Sequence, residues 1–263
     1  MRLVLPVLLP LFILEPGHPV ATQAEFDHDH SLWTELLAEH VDDGLFDYRA
    51  LKQERGVLDR YLARIAAVTP EVLGEWESDE QFAFYANAYN AHVVRLVLDA
   101  YPLKSINDLS TDDERVWDRR FIPLGAHLEE ERELISLDEL ENAILRPRFE
   151  DARVHVAVNC ASKSCPPLDT RAIQGEGLDE QLDRLMRAFL ADGERNRFDR
   201  EAKTVHLSQI FNWFESDFVS EERSLVDYLA EYGPGSDLQW LDAAEISYLE
   251  YDWSLNDVDR END

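Results

Sequence analysis

One stretch of this chain concentrates side chains that can do chemistry: VHVAVNCASKSCPPL, residues 154–168. It holds both cysteines of the protein, Cys160 and Cys165, and a histidine, His155, just ahead of them. Three chemistries are open to such a group. A metal site is the weakest, because the spacing between the cysteines is looser than in a zinc knuckle, no second pair exists, and only His155 and His206 could complete a ligand set. A disulfide is the natural state of an even, minimal cysteine count in an exported chain. Closing so short a loop adds roughly 2 kcal/mol of loop-closure stabilisation, so its role would be local stiffening. The third chemistry is a reactive thiolate. Lys163 stands between the cysteines and favours an anion, and backbone N–H groups in the turn could form an oxyanion hole. His155 is the candidate base, with Asn87, Asn90 or Glu141 to orient it, as an Asn does in papain-like sites. In that reading Cys165 stands slightly ahead of Cys160 as nucleophile, because Lys163 and the preceding turn lie nearer to it.

The elements that must position these groups are mostly helical. The pattern predicts a first helix over 31–41, then a turn feeding a short extended piece in DDGLFDYRAL, and a second helix over 55–67 that stops near Pro70. The strongest helical signal is ESDEQFAFYANAYNAHVVRLVLDAYPL, with Ser78 and Gln81 spaced as a capping box and Pro102 beyond its end. Phe82, Tyr85, Tyr89, Val93 and Leu96 form one apolar stripe; Phe84, Ala91, Val94 and Leu98 form another. A helix apolar on more than one side is buried, so Asn87 and Asn90, one turn apart, need partners. They either tie down nearby backbone or orient a catalytic side chain or ligand. Further on, 121–124 is a short strand candidate, and Ser136 with Glu139 opens a helix that ends near Pro147. The alternation over 153–159 predicts a β-strand, with Val154, Val156 and Val158 on one face and His155, Ala157 and Asn159 on the other. An amphipathic helix over 178–191, a strand over 204–207, helices capped by Ser208 and Ser224, and a last strand over 246–253 complete the chain before an acidic tail. Helices outnumber strands and the strands come late, which predicts one α+β domain, mainly helical, with a small, mostly antiparallel sheet; papain and transglutaminase folds are the comparison.

Composition limits the function. With 263 residues, 45% hydrophobic side chains and six Trp, the chain has the material for a core. The opening MRLVLPVLLPLFIL has one Arg followed by an apolar run too short to span a bilayer, which predicts a signal peptide over 1–24, a domain over 25–256 and a tail over 257–263. Export to a periplasm or to the medium follows, with no membrane insertion after cleavage. The formal charge of −30 repels phosphate backbones, so no nucleic-acid partner is expected. Lysine is confined to Lys52, Lys104, Lys163 and Lys203. Acid excess with scarce Lys reads as adaptation to high salt, an expectation that fails if molar salt leaves the unfolding transition unmoved. His28 and His30, beside Asp27 and Asp29, are placed in a flexible acidic segment rather than a metal site. Trp253 packs the last strand or offers a ligand platform, and His206 is a reserve base.

Several blocks together resemble the domain-of-unknown-function 547 family: GLFDYRAL, QFAFYANAYNAHVVRLVLDAYPLKSINDL, SLDELENAILRP, RVHVAVNCASKSCPPL, HLSQIFNWFESDF and YLEYDWSLN, in that order over roughly residues 30–256. The resemblance implies a shared site around the cysteine loop. The matching positions are Asn87, Tyr89, Asn90, Glu141, His155, Asn159, Cys160, Ser162, Ser164, Cys165 and Pro166. Where members of the family commonly place His after the Glu of the helical block, this chain has Asn142. An activity that needs that His is therefore in doubt, although His155 remains.

Two functions are carried forward. The first is a cysteine-dependent enzyme that transfers or hydrolyses an acyl group on a peptide-like or thiol-containing substrate. Its catalytic candidates are Cys165, Cys160, His155, Asn90, Asn87 and Glu141, and its substrate-binding candidates Tyr89, Asn159, Ser162, Lys163 and Ser164. The second is a non-catalytic module that binds a small ligand or partner segment, with Cys160 and Cys165 bridged. No cofactor and no metal are expected in either.

Overall fold

A 23-residue helix, Ser78–Ala100, organises the molecule. The computed structural model describes residues 26–235 and 237–258; the expected signal peptide over 1–24 and most of the acidic tail lie outside the described residues. Helix α1 (Ser31–His40) leads into a hairpin of β1 (Val41–Asp42) and β2 (Leu45–Phe46). Both turn residues, Asp43 and Gly44, have positive φ, 48° and 77°, as a two-residue I′ hairpin requires. Gly44 is required for a second reason. A Cβ there would come within 2.4 Å of Pro167, so the hairpin is seated on the end of the cysteine loop.

Helices α2 (Tyr48–Gln53), α3 (Gly56–Ala66) and α4 (Pro70–Leu73) then wrap onto α5, the long helix. Both apolar stripes of α5 are buried, including Phe82, Phe84, Tyr85, Tyr89, Val93 and Val94. Its capping box is formed by Glu77 and Glu80, one residue ahead of the Ser78–Gln81 pairing expected from the sequence. Helix α6 (Leu137–Glu139) runs through a widened π turn, Leu140–Leu145, into α7 (Arg146–Phe149). The helix thus passes Pro147 instead of ending there. Pro147 has no N–H to give back to the turn before it, and widened turns accommodate such a break. That turn carries Glu141.

The predicted strand over 153–159 is a correction. Val154–Ala157 is a single helical turn, α8, and only Val158 is extended. Its alternation was uninformative because Val154, His155, Val156, Ala157 and Val158 are all buried, and among the described residues no strand pairs with it. The Asp151 side chain accepts the N–H of Arg153 at 2.8 Å and starts the turn. The strand expected over 121–124 is likewise reduced to one bridge, Ile122 to Ile135.

After α9 (Leu178–Ala191) come β3 (Arg197–Asp199) and β4 (Thr204–Leu207), then α10 (Ile210–Trp213), α11 (Glu215–Phe218), α12 (Leu225–Tyr232) and β5 (Glu245–Tyr248). β4 is central, antiparallel to β3 and parallel to β5, with Val205 opposite Phe198 and Ile246. The fold is therefore the mainly helical α+β domain with small, mostly antiparallel sheets that the element pattern predicts. No helix among the described residues is long and apolar enough to cross a membrane.

Two chain ends depart from expectation. Phe26 and His28 pack against the Trp76 ring at 4.9 and 4.6 Å, and buried His30 hydrogen-bonds the Tyr61 hydroxyl at 2.7 Å. The segment expected to be flexible is thus part of the core. Burial lowers the His30 imidazole to about 4. At the other end, Asp257 accepts a hydrogen bond from the Tyr101 hydroxyl at 2.6 Å, so the start of the expected tail is also packed.

A candidate ligand site walled by a disulfide

The cysteine loop is built by side chains that satisfy backbone. Asn90, on α5, donates to the carbonyl of Ala157 at 2.8 Å and accepts the N–H of Asn159 at 2.8 Å. Asn159 then donates to the carbonyl of Pro166 at 2.8 Å and accepts the N–H of Ala161 at 2.8 Å. It also accepts from the Asn256 amide at 3.2 Å. Ala161 is held at φ 58°, a conformation non-glycine residues adopt only when their surroundings impose it. Arg195 clamps the outer side, donating to the carbonyls of Cys165 at 2.8 Å and Lys163 at 2.6 Å. The chain after β5 closes the loop: Lys163 donates its N–H to Ser254, Ser164 exchanges hydrogen bonds with Asp252, and Ser162 bridges to Leu255.

Within this frame Cys160 and Cys165 form a disulfide, with a Cα–Cα distance of 6.2 Å. The Tyr251 hydroxyl lies 3.3 Å from each sulfur. The N–H of Cys160 points at the sulfur of Cys165 at 2.9 Å.

The bridge forms one wall of a cavity of about 360 Å³. Tyr89 from α5, Glu141 and Asn142 from the π turn, and His155 from α8 share that cavity with the bridge. Its aromatic side is Trp117, Trp213, Phe214, Tyr251 and Trp253. The rings of Trp213, Tyr251 and Trp253 pack against one another, with centroids 4.6 to 5.8 Å apart. Trp213 is 48% exposed, at the rim.

His155 is buried, stacked on Phe214 at 4.2 Å. Its Nε2 meets Asp217 at 2.8 Å, and Asp217 also receives a two-pronged bond from Arg146 at 2.6 and 2.7 Å. Arg146 covers the Phe214 ring at 4.8 Å. Burial raises the Asp217 carboxyl, but the bonds from His155 and Arg146 outweigh it and hold the group well below the usual carboxylate range. Glu141 behaves oppositely. Its side chain is 14% exposed, and the nearest cation-capable group, His155 Nδ1, stands at 3.9 Å, beyond hydrogen-bond range. Burial pushes its carboxyl up, against weaker opposition from His155, the Tyr89 hydroxyl and Arg146.

The structure thus brings Tyr89, Glu141, His155, Cys160 and Cys165 to one cavity and leaves the other candidates outside its lining. Asn87 and Asn90 hold backbone; Asn87 pairs with both the N–H and the carbonyl of Ile173, at 3.0 and 2.7 Å. Asn159 and Ser162 shape the loop, and Lys163 and Ser164 face the 252–254 segment. Asn142 lines the cavity and bonds Asp138 and Arg146 at 3.1 and 2.7 Å. His206 bonds Ser247 at 2.6 Å on the sheet, outside the cavity lining. No cluster of metal-binding side chains occurs among the described residues. Sequence reasoning missed Asp217, Phe214 and Tyr251. Each sits far along the chain from His155, in blocks that read simply as apolar packing.

Fold and site define a mainly helical α+β domain built around a disulfide-walled, aromatic cavity with a buried carboxylate. Residues 73–190 match the family model described as "Protein of unknown function, DUF547". The blocks GLFDYRAL, HLSQIFNWFESDF and YLEYDWSLN lie outside the matched residues. Neither the curated proteins nor the solved structures provide a match.

Proposed function

We propose that this protein is an exported small-ligand-binding module, and that its ligand carries an aromatic or aliphatic body with a cationic or hydrogen-bond-donating head. The observation that carries this reading is Glu141: a carboxylate buried in an aromatic cavity with no ion-pair partner within hydrogen-bond reach. A cation bound there would offset the cost of burying that charge, and the indole and phenol faces favour cations as well. The bridged cysteines support an oxidising compartment, periplasmic or extracellular. In the acyl-transfer reading the bridge must first be reduced, because neither sulfur is a nucleophile while paired.

The test is titration of the full chain with benzylamine, benzyl alcohol and phenylacetate, followed by tryptophan fluorescence. Benzylamine should bind tightest and phenylacetate weakest, and Glu141→Gln should erase the preference for the amine. Equal affinity for amine and carboxylate in the unaltered protein would overturn the reading. A count of free thiols by mass on unreduced protein from its export compartment should find none; two would return the cysteine-dependent enzyme to the lead.

A further inference from the structure

The two sulfurs of the bridge stand in different surroundings. Both line the cavity beside the aromatic wall, but Cys165 is 3% exposed whereas Cys160 is half-buried. The buried sulfur has the Cys160 N–H at 2.9 Å and the Tyr251 hydroxyl at 3.3 Å; the Tyr251 hydroxyl is equally near the Cys160 sulfur, which also has the Ser162 hydroxyl at 3.1 Å. Burial pushes the Tyr251 hydroxyl up to about 12, so it keeps its proton to donate. In thiol–disulfide exchange the reaction is governed by which sulfur can be reached and by how well the departing thiolate is stabilised. Here the more exposed sulfur, that of Cys160, and the sulfur held by a fixed backbone N–H, that of Cys165, are different atoms. A bridge that only staples a loop needs neither a cavity beside it nor a backbone N–H aimed at one of its sulfurs.

We propose that the Cys160–Cys165 bridge is a reactive site for small organic thiols, attacked at Cys160 with Cys165 as the leaving group. The thiolate of the incoming molecule forms a new S–S bond to Cys160 as the Cys160–Cys165 bond breaks. The electron pair of that bond goes to Cys165, whose thiolate is received by the Cys160 N–H and the Tyr251 hydroxyl. The proton lost by the incoming thiol ends on Cys165 through solvent. The products are a mixed disulfide on Cys160 and a thiol on Cys165, with no other oxidant or reductant consumed. The inference rests on the cavity admitting a small organic molecule, as proposed above.

The experiment treats the oxidised full chain with benzyl mercaptan, quenches with N-ethylmaleimide and locates both labels by peptide mass. The reference is the same protein unfolded in urea. The expected result is a benzyl adduct on Cys160 with maleimide on Cys165, formed faster in the folded than in the unfolded protein. Tyr251→Phe should slow the folded-state reaction by about tenfold, the loss expected for one hydrogen bond to a charged group. An adduct on Cys165, an even split as in the unfolded chain, or a folded protein slower than the unfolded one overturns the proposal. The mapping on unaltered protein decides the matter even if Tyr251→Phe fails to fold. Benzyl alcohol separates this proposal from the one before it. Saturable quenching of tryptophan by the alcohol without any thiol adduct leaves the ligand site standing and removes the exchange site; absence of both removes both.

Discussion

Behind the cavity and on its wall, polar groups are largely withdrawn from water but are used differently. Behind it, Asn87, Asn90 and Asn159 spend their amide atoms on backbone at 2.7 to 3.0 Å. On the wall, Glu141 has the Tyr89 hydroxyl beside it and His155 Nδ1 at 3.9 Å, with no cation within hydrogen-bond reach. A buried amide saturated by backbone fixes the position of a chain segment. A buried carboxylate with unspent acceptor capacity raises the energy of the empty state and awaits something to bind. The two asparagines of the long helix looked catalytic by residue type, and their geometry assigns them to architecture.

The sharpest way to break this contrast is Asn159→Ala. It removes the acceptor for the N–H of Ala161 and the donor to Pro166 together, in a loop that also holds a strained φ. Unsatisfied buried groups cost about 1–3 kcal/mol each, so the variant should lose about 3 kcal/mol in urea unfolding. A loss below about 1 kcal/mol, inside the range of one ordinary hydrogen bond, would mean that water replaces the amide and that the loop is not held as described.

Next in size is Asp217→Asn. It weakens two bonds from Arg146 and alters the one with His155, so about 2 kcal/mol should be lost near neutral pH. The sign of the pH effect follows from the lowered carboxyl. Where the folded protein holds a carboxylate below its unfolded value, the unfolded chain binds more protons, and stability rises with pH through that window. The contribution of Asp217 is therefore present above the ordinary carboxylate range and fades as pH falls below it. Glu141 has the opposite sign, because its carboxyl is raised: its charge costs stability as pH climbs above the ordinary range. Urea midpoints measured across the acid range should show a flatter acid limb for Asp217→Asn than for the unaltered protein. An unchanged limb would show that the Arg146–Asp217–His155 group does not govern the acid response.

How much of this was legible beforehand depends on the range of the interaction. The long helix, its two apolar stripes and the capping signals at Ser136 and Ser224 were readable because they are set by residues three and four apart. The helical turn at Val154–Ala157 was not, since a segment buried on every side carries no periodicity to tell helix from strand. The cysteines, His155, Tyr89 and Glu141 were marked by residue type alone. Asp217 was invisible because its role depends on α11 folding back against α8, 62 residues away in sequence. Asn256 read only as the end of the domain for the same reason, although it links the Tyr48 hydroxyl and the Asn159 amide, at 2.8 and 3.2 Å.

The smallest expected effect on stability is the most informative about the wall. Trp213 is 48% exposed, large and apolar, and its ring leans on Tyr251 and Trp253 instead of entering the core. An indole that served the fold would be placed where its full area leaves water. Because much of its surface remains wet, Trp213→Ala should shift the urea midpoint by no more than about 1 kcal/mol, well below a core aromatic, for which truncation costs about 3–5 kcal/mol. Benzylamine affinity should nevertheless fall by roughly tenfold, since one lost aromatic contact with a partly desolvated cation is worth about 1–2 kcal/mol. A variant destabilised like a core substitution would assign Trp213 to the architecture with Asn90 and Asn159. A variant with native stability and full affinity would place the ligand deeper, against Tyr89 and Glu141, and reduce the aromatic rim to a cover for the bridge.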